Sequence, residues 1–163
     1  MDRRKFVSAL PALAAGPYLG ATLGATLGAA LTGCSGEALS GPAEIKWDRD
    51  VCARCSMVIS ERAYAAQIRD PMKKVHKFDD FGCAVFWKEH QTFSDAEIEF
   101  WAADAGAAAR AEPAGSKWLD ARQAAYAAGK RTPMGYGFAA VATGTAETVP
   151  FAEARKAVLA KGK

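Results

Sequence analysis

The chain is short of what marks a nucleic-acid binder or an enzyme. Its 21 Lys and Arg nearly balance 18 Asp and Glu. Beyond residues 1–33, which hold Arg3, Arg4, Lys5 and Asp2, 18 basic and 17 acidic side chains remain. That balance gives no electrostatic argument for nucleic acid. There is no glycine-rich phosphate loop and no nucleophile beside a convincing base. Asp79 and Asp80 are adjacent, which places them on different faces of a helix and argues against a carboxylate dyad. The chain therefore reads as a binding protein rather than an enzyme. Its distinctive chemistry is confined to four cysteines, four methionines and two histidines.

The first segment, MDRRKFVSALPALAAGPYLGATLGATLGAALTGC, is an address rather than a fold. Paired arginines followed by a charge-free run from Phe6 to Gly33 form an export signal of twin-arginine type. The run is long enough to span a membrane, but Pro11, Pro17 and the repeated glycines make it only weakly hydrophobic. LTGC reads as a bacterial lipobox, so residues 1–33 are expected to be removed and Cys34 to be lipidated. Residues 34–46 then form a lipidated tether, flexible through SGEALSGPA, and residues 47–163 the folded domain. The expected location is the cell envelope, periplasmic side, anchored to a membrane by lipid. Ser35 favours the outer membrane if the cell is Gram-negative.

After the tether, AYAAQIR (63–69) and the alternating KVHKF (74–78) read as a hairpin about the turn DPMK. DDFGCAVFWKEHQ opens with capping acids and continues at helical spacing. His90 near its end reads as a partner for the helix dipole. EIEFWAAD (97–104) reads as a strand. The Pro/Gly-punctuated AGAAARAEPAGS (105–116) reads as a linker. A second block has a short strand in KWLDA, then QAAYAAG as strand or helix, then GYGFAAVAT as a strand. PFAEARKAVLAKGK reads as a terminal helix, with Pro150 in its first turn and Lys156, Lys161 and Lys163 toward its negative end. The expected fold is α+β, with two small ββαβ-type halves (about 47–106 and 115–163) side by side across a seam.

CARCSM, residues 52–57, sets the functional question. With Cys34 committed to lipid, Cys52, Cys55 and Cys83 remain, an odd number in an oxidising compartment. A thioredoxin-like redox pair expects a helix after the motif, and MVIS starts one poorly. A structural disulfide leaves Met57 as a core methionine. Zinc has suitable donors in Cys52, Cys55, Cys83 and His76, but the second pair lacks a knuckle spacing. Soft Cu(I) alone uses the thioether of Met57, which in an extended segment projects to the same side as Cys55.

CARCSMVISERAYAAQI, FDDFGCAVFW, KWLDARQAAYAAG, PMGYGFAAV and the closing FAEARKAV, taken in order over about residues 50–162, resemble the NosL family. These are copper-binding lipoproteins of nitrous-oxide reductase assembly. The resemblance implies a monomeric Cu(I) carrier that delivers copper to the maturation machinery of that enzyme. Cys55 and Met57 match the family's CxM ligands, and Met134 matches the methionine of its MG element. Cys52 and Cys83 match cysteines that only some relatives carry. Ser56 stands where the commoner motif has glycine. The rival readings are an envelope lipoprotein with a structural zinc or disulfide acting as an interaction module, and a thiol oxidoreductase or lyase. The lyase reading enters because the family's fold resembles that of organomercurial lyase.

Overall fold

The computed structural model describes residues 38–107, 110, 112–115, 117–142 and 147–162. The export signal and the lipidation site at Cys34 lie outside the described residues. No helix among the described residues is long and apolar enough to cross a membrane.

The first hairpin forms where alternation and turn chemistry agree. β1 (Ala66–Arg69) pairs antiparallel with β2 (Val75–Phe78). Between them the Asp70 N–H donates to the Lys74 carbonyl, the Lys73 N–H donates to the Asp70 carbonyl, Asp70 Oδ1 accepts from the Lys74 N–H, and Lys73 takes a φ of 69°. This is a three-residue loop closed by a left-handed residue. α1 (Phe81–Glu89) starts at Asp80, whose Oδ1 accepts from the Gly82 N–H at 2.9 Å. It stops at His90, whose ring Nδ1 lies 2.7 Å from the Phe86 carbonyl oxygen, at the end where the dipole favours such a partner. A short 3₁₀ turn (Asp95–Glu97) leads into β3 (Glu99–Ala103), which pairs with the other side of β1.

The remaining strands are short: β4 (Trp118–Asp120), β5 (Ala125–Ala127), β6 (Ala139–Val141) and β7 (Thr148–Pro150), followed by α2 (Phe151–Ala160). One antiparallel sheet has the order β2-β1-β3-β4 and the other β6-β5-β7. The expected α+β architecture with two small sheets and two helices is present. β4, at the head of the second block, is nevertheless the edge strand of the first sheet, through its pairing with β3. QAAYAAG forms a strand over Ala125–Ala127. GYGFAAVAT forms one only from Ala139, because Gly135 and Gly137 sit at φ 69° and 85°, outside the strand region. Pro150 ends β7 and caps α2 rather than lying inside its first turn.

The folded unit starts before residue 47. Ile45 is a core residue, and the Gln67 side chain accepts from the Ala43 N–H and donates to the Ala43 carbonyl. Arg69, buried in β1, donates to the Gly41 carbonyl. Gln67 and Arg69 are buried polar side chains that would be costly without these partners, so the sheet itself holds the end of the tether.

Phe81 of α1 packs on Tyr126 of β5 with ring centroids 4.4 Å apart, and Phe100 of β3 meets Phe151 of α2 at 5.8 Å. Each such burial contributes roughly 2–3 kcal/mol. This aromatic cluster joins both sheets and both helices, and so fixes where the N-terminal end of α1 lies against the second block.

Candidate metal centre

CARCSM is the loop of a tight hairpin. Val51 and Val58 form an antiparallel bridge. Inside it the Cys52 N–H donates to the Met57 carbonyl at 2.8 Å, and the Ser56 N–H donates to the Cys52 carbonyl at 3.0 Å. The turn closes with Ser56 at φ 62°, a left-handed conformation that glycine adopts without strain and other L-residues adopt at a cost. Cys55 and Met57 therefore do not lie on an extended segment, and strand alternation does not set the direction of their side chains. The Ala53 N–H donates to the Lys77 carbonyl at 2.8 Å, which docks the loop on the outer edge of β2.

That docking brings Cys52 and Cys55 to the first turn of α1. The donor atoms of Cys52, Cys55, Asp79 and Cys83 all lie within 4.8 Å of one another. The three cysteines are free. Cys52 and Cys83 are buried, and Cys55 is partly exposed. Asp79 was missed as a site residue. It is buried, its Oδ1 accepts from the Cys55 thiol at 3.4 Å, and its Oδ2 has no hydrogen-bond partner among the described residues. A buried carboxylate oxygen left unpaired is costly and calls for a cation or a donor. The adjacent acids thus do different work, Asp80 capping α1 and Asp79 facing the thiols. Position just before a capping residue at a strand end was the one available signal.

The thiols are electrostatically unequal. The hydrogen bond from Cys83, helped by the backbone N–H groups of Cys55 and Asp79, brings the Cys52 thiol down to about 6 despite burial. Burial, together with the neighbouring Cys52 and Asp79 charges, pushes Cys55 up to about 11. Cys83 is pushed far up, first by its hydrogen bond to Cys52 and then by burial.

The other sequence candidates are Met57, Met134 and His76. Met57 ends the loop with 48% of its surface exposed. Met134 is partly buried against the core, on a loop tied to α1. Asp80 Oδ2 accepts from the Thr132 hydroxyl at 2.6 Å and the Met134 N–H at 3.1 Å. Burial pushes the Asp80 carboxyl up, against the hydrogen bonds from Thr132, Gly82 and Met134. Tyr136 covers the helix so closely that a Cβ on Gly82 would fall 2.1 Å from its ring. Arg54, between the two loop cysteines, donates to the Tyr136 hydroxyl at 2.8 Å and lies over the Phe86 ring at 4.6 Å. Lys161, expected to serve the end of α2, donates instead to the Gly135 and Tyr136 carbonyls. His76 is not brought to the cluster. Its Nε2 lies 2.9 Å from Asp70 Oδ2, and its ring packs against Trp87 at a tilt of 34° with centroids 4.3 Å apart.

In a tetrahedral zinc–thiolate site the sulfurs stand roughly 3.8 Å apart, so a modest contraction of the cluster would close it on an ion. Three sulfurs suit a soft cation, and the carboxylate adds a harder donor.

No curated protein matches the chain at a significant level. Among solved structures, the crystal structure of the copper chaperone NosL from Shewanella denitrificans is similar, with 18% sequence identity and a TM-score of 0.51. The match covers 74% of this chain and 87% of that one, and it shows a shared fold. The family model described as NosL matches residues 42–159, most of the chain and all of the candidate centre. The chain belongs to the NosL family.

Proposed function

We propose that the protein carries Cu(I) as cargo. The ion is held among Cys52, Cys55 and Cys83 beside Asp79, with the thioethers of Met57 and Met134 on the two flanking loops. The clustering of three free thiols at one end of α1 carries this reading. Thiolate and thioether donors match the polarisable Cu(I) ion. Family membership supports it, as does the fold shared with the Shewanella denitrificans copper chaperone. A carrier must also release its ion. Cys55 is partly exposed while Cys52 and Cys83 are buried, so ligand exchange with an acceptor would begin at Cys55 and the exposed Met57.

The acceptor in this proposal is the machinery that builds the copper centres of nitrous-oxide reductase. The carrier works as a monomer in the cell envelope, on the periplasmic side, tethered by lipid at Cys34. The sequence motifs and the export-signal pattern support this, and genes for that reductase beside this one would strengthen it. A second reading, a structural zinc site in an interaction module, has one observation in its favour. Asp79 completes a four-donor set with an unpartnered oxygen, and four donors are what structural zinc takes.

Anaerobic titration of the full chain in detergent, with a chromophoric Cu(I) competitor and separately with Zn(II), separates the two. The expected result is one Cu(I) per chain, bound far more tightly than Zn(II). A preference for zinc would overturn the carrier.

A further inference from the structure

Three thiols are one more than a disulfide needs, and the geometry gives them different access. Cys52 and Cys83 are 1% and 0% exposed. Cys55 is partly exposed, and all three sulfurs lie within 4.8 Å of one another. A disulfide needs sulfurs at about 2.05 Å, so any pair must close by less than about 3 Å. The hairpin can supply that movement. Its six-residue loop is held by few backbone hydrogen bonds, whereas Cys83 is fixed in the first turn of α1.

We propose that the metal-free centre stores a buried disulfide between Cys52 and Cys83, made and undone by thiol–disulfide exchange through Cys55. This rests on reading the cluster as the cargo site, because departure of the cargo is what frees the thiols. The oxidant is a small-molecule or protein disulfide, RSSR. Cys55, losing its thiol proton to the departing RS⁻ as the new bond forms, attacks it, giving a mixed disulfide and one RSH. Cys52 then attacks the Cys55 sulfur, expelling the second RS⁻ and leaving a bond between Cys52 and Cys55. Cys83 attacks Cys52 in turn, forming the buried bond and returning Cys55 as a free thiol. In sum, two protein thiols lose two electrons and two protons, and RSSR becomes two RSH. A dithiol reductant reverses the path. Cys55 attacks Cys52 and expels Cys83, the reductant attacks the partly exposed Cys55 sulfur, and its second thiol leaves with the first as a disulfide. Exchange depends on access to the sulfur attacked, and Cys55 is the point of access. An empty carrier in an oxidising compartment is then closed to metal until it is reduced.

The test uses the full chain in detergent, stripped of copper with a Cu(I) chelator, reduced, and exposed anaerobically to oxidised glutathione. Remaining thiols are alkylated and the peptides mapped by mass spectrometry. The expected product links the Cys52 and Cys83 peptides and leaves Cys55 alkylated. Copper-loaded protein should show no link over the same time. Cys55→Ser should slow the link by about tenfold or more, and Cys83→Ser should yield only the link between Cys52 and Cys55. Absence of the link between Cys52 and Cys83, or an unchanged rate in Cys55→Ser, overturns the proposal. If copper binds as proposed but no disulfide forms, the relay falls and the carrier stands. If the disulfide forms but copper neither binds nor protects, the carrier falls and the relay stands.

Discussion

The two blocks of the molecule contribute unequally to the centre. The first sheet and its helix bring Cys52, Cys55, Asp79 and Cys83 together, while the second block contributes a cover. That cover is the loop of residues 132–137, with Met134 latched to Asp80, Tyr136 laid on Gly82 and Arg54 reaching across to the Tyr136 hydroxyl. Donors and cover thus come from different parts of the chain, and one carboxylate, Asp80, ties the cover to the helix that carries Cys83. If copper binds as proposed, strength of binding belongs to the first block and adjustment of it to the second.

That division can be broken most decisively by affinity. Cys55→Ser or Cys83→Ser should weaken Cu(I) by roughly a thousandfold or more, about 4 kcal/mol, because each removes one of the three sulfurs that hold the ion in the proposed site and leaves only weaker donors beside it. Met134→Leu conserves volume and should cost under about 1.5 kcal/mol of stability, while weakening copper by about tenfold. Competition titrations of the three variants decide the matter. A Met134→Leu loss as large as a thiol's would show that the second block is a full partner in binding.

The next effect is on folding rather than binding. Gly82→Ala sets a Cβ 2.1 Å from Tyr136 Cγ and Cδ2, and the cover must lift. Overpacking of this kind should cost about 3 kcal/mol, read from denaturant midpoints, with a parallel loss of copper affinity. Unchanged stability would mean that Tyr136 does not hold the helix in this way.

A smaller effect sharpens the first block. Ser56→Gly relieves a left-handed residue in the CARCSM turn and should raise stability by about 0.5–1 kcal/mol, with copper affinity unchanged. A stability decrease in thermal unfolding would show that the turn is held by something other than its backbone geometry.

Much of the first block was legible in sequence because its rules are local. The alternation of KVHKF, the turn DPMK and the acids ahead of FGCAVFW each specify structure within a few residues, and β1, β2 and α1 follow them. What sequence could not show depends on distant pairing. β4 joins β3 across the linker, Gln67 takes hold of Ala43, and Cys83 reaches the hairpin only once α1 is packed. The candidate sulfurs were identifiable by type, but two inferences about them were incomplete. Cys55 and Met57 were placed on an extended segment, because Ser56 carries no outward sign of its left-handed backbone. Asp79 reads in sequence as a capping acid like Asp80, because adjacent acids look alike until the fold turns one toward the helix and the other toward the thiols. His76 has a ligand's chemistry, but Asp70 and Trp87 hold it elsewhere.

In the proposed site copper sits in the cluster of three thiols and not on Cys55 and the thioethers alone. Copper-edge X-ray absorption on the loaded full chain counts sulfur neighbours directly. The account predicts one fewer sulfur in Cys83→Ser than in the wild type, and likewise in Cys52→Ser. An unchanged sulfur count in both variants would contradict it.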